Sequence, residues 1–180
     1  MRVVARQYIY EAPDLFSAGA VGEPGARAFY LQAADGAART SVALEKVQVA
    51  ALAERLVELL VAMHGVVPAA DVEDPAQSER DEPPAQHPTA HAFRVGALTL
   101  AWDAEREEVV IQARPAVDDE ETADQTDTDL LHVRLRPDRA LAFARRASAL
   151  VAAGRPSCPF CGEPIEPAGH FCARSRAHLN

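Results

Sequence analysis

Cys158 and Cys161 stand two residues apart with Gly162 directly after them, and eight residues later His170 and Cys172 stand one residue apart. These fifteen residues hold every cysteine of the chain. Zinc binds four such soft or borderline ligands in a tetrahedron, and Cys-x₂-Cys lets two thiolates reach one ion. Gly162 permits the tight backbone turn that aims amides at sulfur, and Pro159 stiffens the loop. The expected site is therefore a structural Zn²⁺ on Cys158, Cys161, His170 and Cys172. Four protein ligands leave no open position, so no chemistry at the metal is expected. His178 is a second candidate for the histidine ligand, with poorer spacing. A redox Cys-x-x-Cys would need a thioredoxin-like βαβ context that is missing here. An iron–sulfur cluster would need a fourth ligand other than cysteine. A short segment has almost no core of its own, and in such units metal-binding free energy becomes folding free energy.

The elements that must carry this tail follow from hydrophobic periodicity. Residues 3–10 (VVARQYIY), 27–33 (RAFYLQA) and 39–45 (RTSVALE) read as strands, and Leu15 to Val21 as a short strand or irregular chain. Asp35-Gly36 is a hairpin signal. The period then changes to 3.6: Val49, Leu52, Leu56, Leu59 or Leu60, and Met63 form one stripe, which predicts a helix over 46–63 ended by Gly65 and Pro68. Residues 92–102, 107–114 and 130–136 read as three further strands, with a turn at Asp103 to Arg106. Pro137 opens a second helix with Asp138 at its positive end and Phe143, Ala147, Leu150 and Val151 on its apolar stripe; Gly154 caps it.

The expected fold class is therefore α+β: antiparallel sheet from two similar β-β-β-α halves, plus a short zinc-binding tail. The domain boundaries are residues 1–65 for the first half, 66–90 for an acidic Pro-rich linker, 91–154 for the second half and 155–180 for the zinc-ribbon-like tail. Each half alone is small for a stable core, which favours one joint domain.

Charge narrows the function classes. The net charge is −9. Residues 66–90 and 115–129 together carry thirteen acids against the single base Arg80, so the remainder of the chain is slightly basic. From residue 130 onward eight arginines face three acids. Phosphate binding needs a strong basic field, so nucleic acid is a less favoured partner than another protein. No run of about 18 apolar residues exists to cross a membrane, and no apolar segment follows Met1 to Arg6 as a signal peptide would require. With the cysteines confined to one cluster, these features point to a cytoplasmic protein.

Beyond the metal, two groups could take a ligand. Gly22 and Gly25 with Arg27 form a Gly-rich loop beside a guanidinium, a geometry that can hold an anion, although its turn chemistry fits a plain β-turn equally. Arg134 and Arg136 share one strand face by period-2 alternation and extend the basic surface. No P-loop, dinucleotide fingerprint or Gly-x-Ser-x-Gly elbow is present. Glu45 and Lys46 open the first helix, where the acid suits the dipole and the lysine is solvated.

Several stretches resemble a family of actinobacterial repeat proteins known as the domain of unknown function 3090. They are Pro13-Asp14 with Phe16, Gly19 to Arg27 (GAVGEPGAR), Phe29 to Ala33 (FYLQA), Val42 to Val49 (VALEKVQV), Arg94-Val95-Gly96, Trp102-Asp103 and Cys158 to Cys172. The resemblance implies an intracellular protein with an internal repeat, and it implies no activity. Similar proteins end in an Asn-Gly-Tyr-Arg-like segment, where this chain has Arg174 to Asn180. The functional expectation is a non-catalytic zinc-containing adaptor or binding protein. The alternatives are an enzyme acting on a phosphorylated or nucleotide-like ligand, and a nucleic-acid-binding protein.

Overall fold

The computed structural model describes residues 5–23, 25–64, 90–116 and 128–153. The four expected zinc ligands, His178, nearly all of the acidic linker and most of the second acidic stretch lie outside these residues. The described part is α+β, with seven strands and two helices in two sheets.

The first sheet is an antiparallel meander of β2 (Leu15–Val21), β3 (Ala28–Asp35) and β4 (Ala38–Leu44). Asp35 and Ala38 close the hairpin around Gly36, whose φ of 54° suits a residue without a Cβ. Leu15–Val21 is a full strand, buried along most of its length on both faces. That burial erases the period-2 signal and explains why sequence left this stretch open. The second sheet has the order β1 (Gln7–Tyr10), β7 (Leu130–Leu135), β6 (Glu108–Pro115) and β5 (Val95–Asp103). Its β5-β6-β7 part is antiparallel, but β1 pairs with β7 in parallel, Gln7 opposite Leu130 and Tyr10 opposite Val133. The sheet is thus mixed where purely antiparallel pairing was expected. A parallel pair needs a long connection, and here most of the chain supplies it.

The two sheets meet at two corners. Residues 92–94 run beside β4, with Ala43 N–H donating to Phe93 O at 2.9 Å and Ala92 N–H to Ser41 O at 2.8 Å. The Tyr10 and Thr40 hydroxyls share a buried hydrogen bond of 2.8 Å.

Helix α1 (Lys46–His64) and helix α2 (Pro137–Ala152) pack on each other and on the sheets. The α1 stripe that enters the core is Val49, Leu52, Ala53, Leu56 and Leu60; Met63, expected on it, is exposed. In α2, Ala140, Leu141, Phe143, Ala144 and Ala147 are buried, and the Phe143 ring lies 4.6 Å from that of Phe16 on β2. Pro137 begins α2 as the sequence indicates.

Candidate functional site

Strand β7 alternates: Leu131, Val133 and Leu135 enter the core, while His132 and Arg134 face outward and are half-buried. Register then sets their company, because Ile9 and Gln112 flank His132, and Val110 stands beside Arg134. Arg134 collects three carboxylates. Its NH1 lies 2.6 Å from Asp103 Oδ2 and 4.0 Å from Glu108 Oε2, and its Nε lies 3.0 Å from Glu11 Oε2. Arg106 adds a second cation at 3.1 Å from Glu11. The Asp103 side chain also accepts the backbone N–H groups of Glu105 and Arg106 at 3.1 Å each, which fixes the β5–β6 turn. The arginine hydrogen bond is the main reason the Asp103 carboxyl is held below its usual range. Asp103 in turn raises the Arg134 guanidinium.

His132 sits at the margin of this network. Gln112 Nε2 lies 3.1 Å from His132 Nδ1, and an amide nitrogen can only donate, so Nδ1 accepts and the neutral ring carries its proton on Nε2. Nε2 faces Glu11 Oε1 at 4.0 Å. Burial is the first cause of a lowered imidazole pKa and the Arg134 charge the second; Glu11 opposes both. The cluster therefore binds β1, the β5–β6 turn and β7 together. Its one guanidinium within the sheet already answers three acids.

The other expected ligand residues lie apart. Gly22 and Gly25 have φ of 105° and 97°, and Ala26 N–H closes a turn onto Glu23 O at 2.9 Å. Arg27 donates from NH1 to the carbonyl of Ala153 at 2.9 Å, at the C-terminal end of α2. Arg136 is not on β7 but stands at the N-cap position of α2 with no side-chain cap hydrogen bond, and its Nε reaches Asp138 at 3.1 Å. Sixteen residues of helix separate these two arginines by about 24 Å. Arg139 is also engaged, donating to Pro13 O at 3.0 Å and Asp14 O at 2.9 Å. The glycine turn and the arginines thus serve as caps and ties and do not converge on one ligand position.

A groove of about 680 Å³ lies between α1 and β5 on the described surface. Leu52, Leu59, Leu98 and Leu100 line its apolar part, with Gln48 and the Arg55–Glu58 pair also along it. Sequence reasoning placed both elements and missed the groove. The local signal is the Leu98, Leu100, Trp102 alternation, three large apolar residues that a covered strand would bury and that here remain half-buried. Gln48 fixes the groove at one end. Its Oε1 accepts the Glu45 N–H at 2.8 Å and its Nε2 donates to Val95 O at 3.1 Å. Glu45 stands just ahead of α1 and its side chain pairs with Arg94.

Among the described residues no three His, Cys, Asp or Glu side chains are placed to hold a metal ion. No described helix is long and apolar enough to cross a membrane. A family model described as protein of unknown function (DUF3090) matches residues 8–172. No curated protein and no solved structure matches the chain.

Proposed function

We propose, for a chain that belongs to the DUF3090 family of proteins of unknown function, that it is a zinc-containing, non-catalytic binding protein whose partner is another protein. The observation that carries this reading is the α1–β5 groove. An apolar floor with a few polar groups at its rim, next to a strand edge, is the geometry by which extended segments and helices of other proteins dock. Among the described arginines that suggested phosphate or nucleic acid, Arg27, Arg134, Arg136 and Arg139 are paired with acids or carbonyls of the same chain, which weighs against the two alternatives. The ligand set Cys158, Cys161, His170 and Cys172 supports a closed structural zinc in the tail, and the cysteine usage supports a cytoplasmic compartment. The order β2-β3-β4-α1 followed by β5-β6-β7-α2 supports an internal duplication.

Photo-cross-linking tests the reading. A photoreactive residue replaces Ala51 or Ala62, both exposed on the groove wall, and in a control Ser148, exposed on α2. Protein adducts concentrated at the groove positions are the expected result. Equal labelling at Ser148 overturns the groove as the binding face. A thermal shift on adding nucleotides or phosphates, with no groove adduct, favours the enzyme alternative.

A further inference from the structure

We infer that the groove is the half-site of a two-fold interface, and that its occupant is a second copy of this chain paired through β5. The inference rests on the protein-binding reading above and names the partner.

Strand β5 is a sheet edge: among the described residues its one paired neighbour is β6. Natural edges are protected by charge, proline or bulges, because unpaired backbone groups template another strand. From Val95 to Trp102 this edge carries no charge and no proline, and its register irregularity falls at Gly96, ahead of the central stretch. That stretch, Ala97-Leu98-Thr99-Leu100-Ala101, reads the same in both directions. An antiparallel pair centred on Thr99 therefore sets Leu98 against Leu100 of the second copy on the groove face. It sets Ala97 against Ala101, and Thr99 against itself, on the outer face, where all three are exposed. Leucine opposite leucine and threonine opposite threonine are favourable cross-strand pairs.

Helix α1 carries a matching pattern about the same centre. Gln48 is bonded to Val95 at one end, and the His64 ring meets Trp102 edge-on at 5.4 Å at the other. Helix and strand therefore run side by side in one direction. The helical rise from Gln48 to His64 is about 24 Å and the strand rise from Val95 to Trp102 about 23 Å, so the scales agree. Thr99 is then level with the turn bearing Arg55 and Glu58. Rotation about Thr99 brings Arg55 of one copy toward Glu58 of the other, and Ala51 toward Ala62. The charges are complementary and the flanking residues are small. Among the described residues of one copy Arg55 and Glu58 pair with each other, at 3.1 Å, and both are more than half exposed.

A strand pair alone buries less than the roughly 1,200–2,000 Å² of a standard interface, so α1 has to contribute. It has the surface for this. Two of the five large apolar residues exposed on the described surface, Val47 and Val61, stand on the side of α1 that bears Glu58. The product is an isologous dimer with one continuous sheet across the axis and the α1 helices antiparallel beside it.

Sedimentation of the full chain tests this. The wild-type chain is expected at twice the monomer mass. Thr99→Lys and Thr99→Asp each place like charges on the axis and are expected to weaken association by about tenfold or more. Thr99 is exposed, so circular dichroism and thermal midpoint of the isolated variants should match wild type. An equimolar mixture of the two variants should regain the dimer, because only the mixed pair is complementary. Arg55→Glu should weaken the dimer, and adding Glu58→Arg should restore it. A monomeric wild-type chain overturns the inference, whether residues 65–89 or a different protein then covers the edge. A dimer indifferent to Thr99→Lys, or a mixture that stays monomeric, overturns it as well. Groove adducts with another protein on a monomeric chain would sink the second copy and leave the binding reading standing.

Discussion

The Gln48 side-chain amide donates to the Val95 carbonyl at 3.1 Å, and that bond sets the start of α1 beside the start of β5. The same amide accepts the Glu45 N–H through its oxygen, so one side chain caps a helix and spaces a groove.

Replacing Gln48 should separate these two roles. Gln48→Ala loses both bonds and should cost about 1–2 kcal/mol in urea unfolding. Gln48→Glu keeps an acceptor for Glu45 N–H and lacks the donor for Val95. It should fall between wild type and alanine, and amide exchange should quicken around Val95 more than in β3.

Gly19 lies opposite Tyr30 across the β2–β3 pair, and the ring covers it so closely that an added Cβ would stand 2.2 Å from the ring carbon. Tyr30 is itself buried and has little room to yield. Gly19→Ala should destabilise by about 1–3 kcal/mol, as overpacking does. Adding Tyr30→Leu should recover part of that loss, and a double-mutant cycle should return a coupling of roughly 0.5–3 kcal/mol.

Glu107 holds a φ of 53° at the β5–β6 turn. A side chain in that region costs about 1 kcal/mol relative to glycine. Glu107→Gly should therefore raise the thermal midpoint, unless the extra freedom of the unfolded glycine cancels the gain. A fall larger than that cancellation would show that the Glu107 side chain itself stabilises the turn.

Acidification should act first through His132. Its folded-state pKa lies below the ordinary value, chiefly through burial and then through Arg134. An unfolded histidine titrates near pH 6.5. As pH falls through that value the unfolded chain takes the proton first, so stability declines; above about pH 7 both states are neutral and the residue contributes no slope. His132→Gln should flatten the decline that begins below about pH 6.5 in denaturant titrations. Asp103, held down mainly by Arg134, adds a further loss only below about pH 4.

Metal analysis addresses the tail. The purified chain should carry about one zinc, and Cys158→Ser or Cys172→Ser should lower it below about 0.2 equivalent. Comparing His170→Ala with His178→Ala decides which histidine ligates.

Much of the secondary structure was legible because local signals and tertiary context agree. The Leu52, Leu56, Leu60 spacing, the Pro137 start and the Asp35-Gly36 turn each rest on a few neighbouring residues. Pairing was not legible at the N-terminal strand. Nothing in Gln7–Tyr10 names Leu130–Val133 as its partner, since parallel register depends on residues far along the chain. Arg136 was read onto β7 because alternation continues past Leu135, whereas the following proline turns that residue into a helix cap. Arg134 looked like an anion site because sequence displays one charge, and not the three carboxylates that folding gathers around it.

The β1–β7 pairing also orders events during synthesis. Arg6 N–H bonds the Asp129 carboxylate across a separation of 123 residues. At about 5–20 residues per second, β1 waits roughly 6–25 s for its partner to be made. The meander β2-β3-β4 with α1 has its contacts much sooner, so the nascent chain should hold that part first and leave β1 protease-sensitive until β7 emerges. Closure of the four-stranded sheet then becomes a late checkpoint. A chain stalled before residue 135 should be cleaved near Tyr10 by a protease that spares the finished protein.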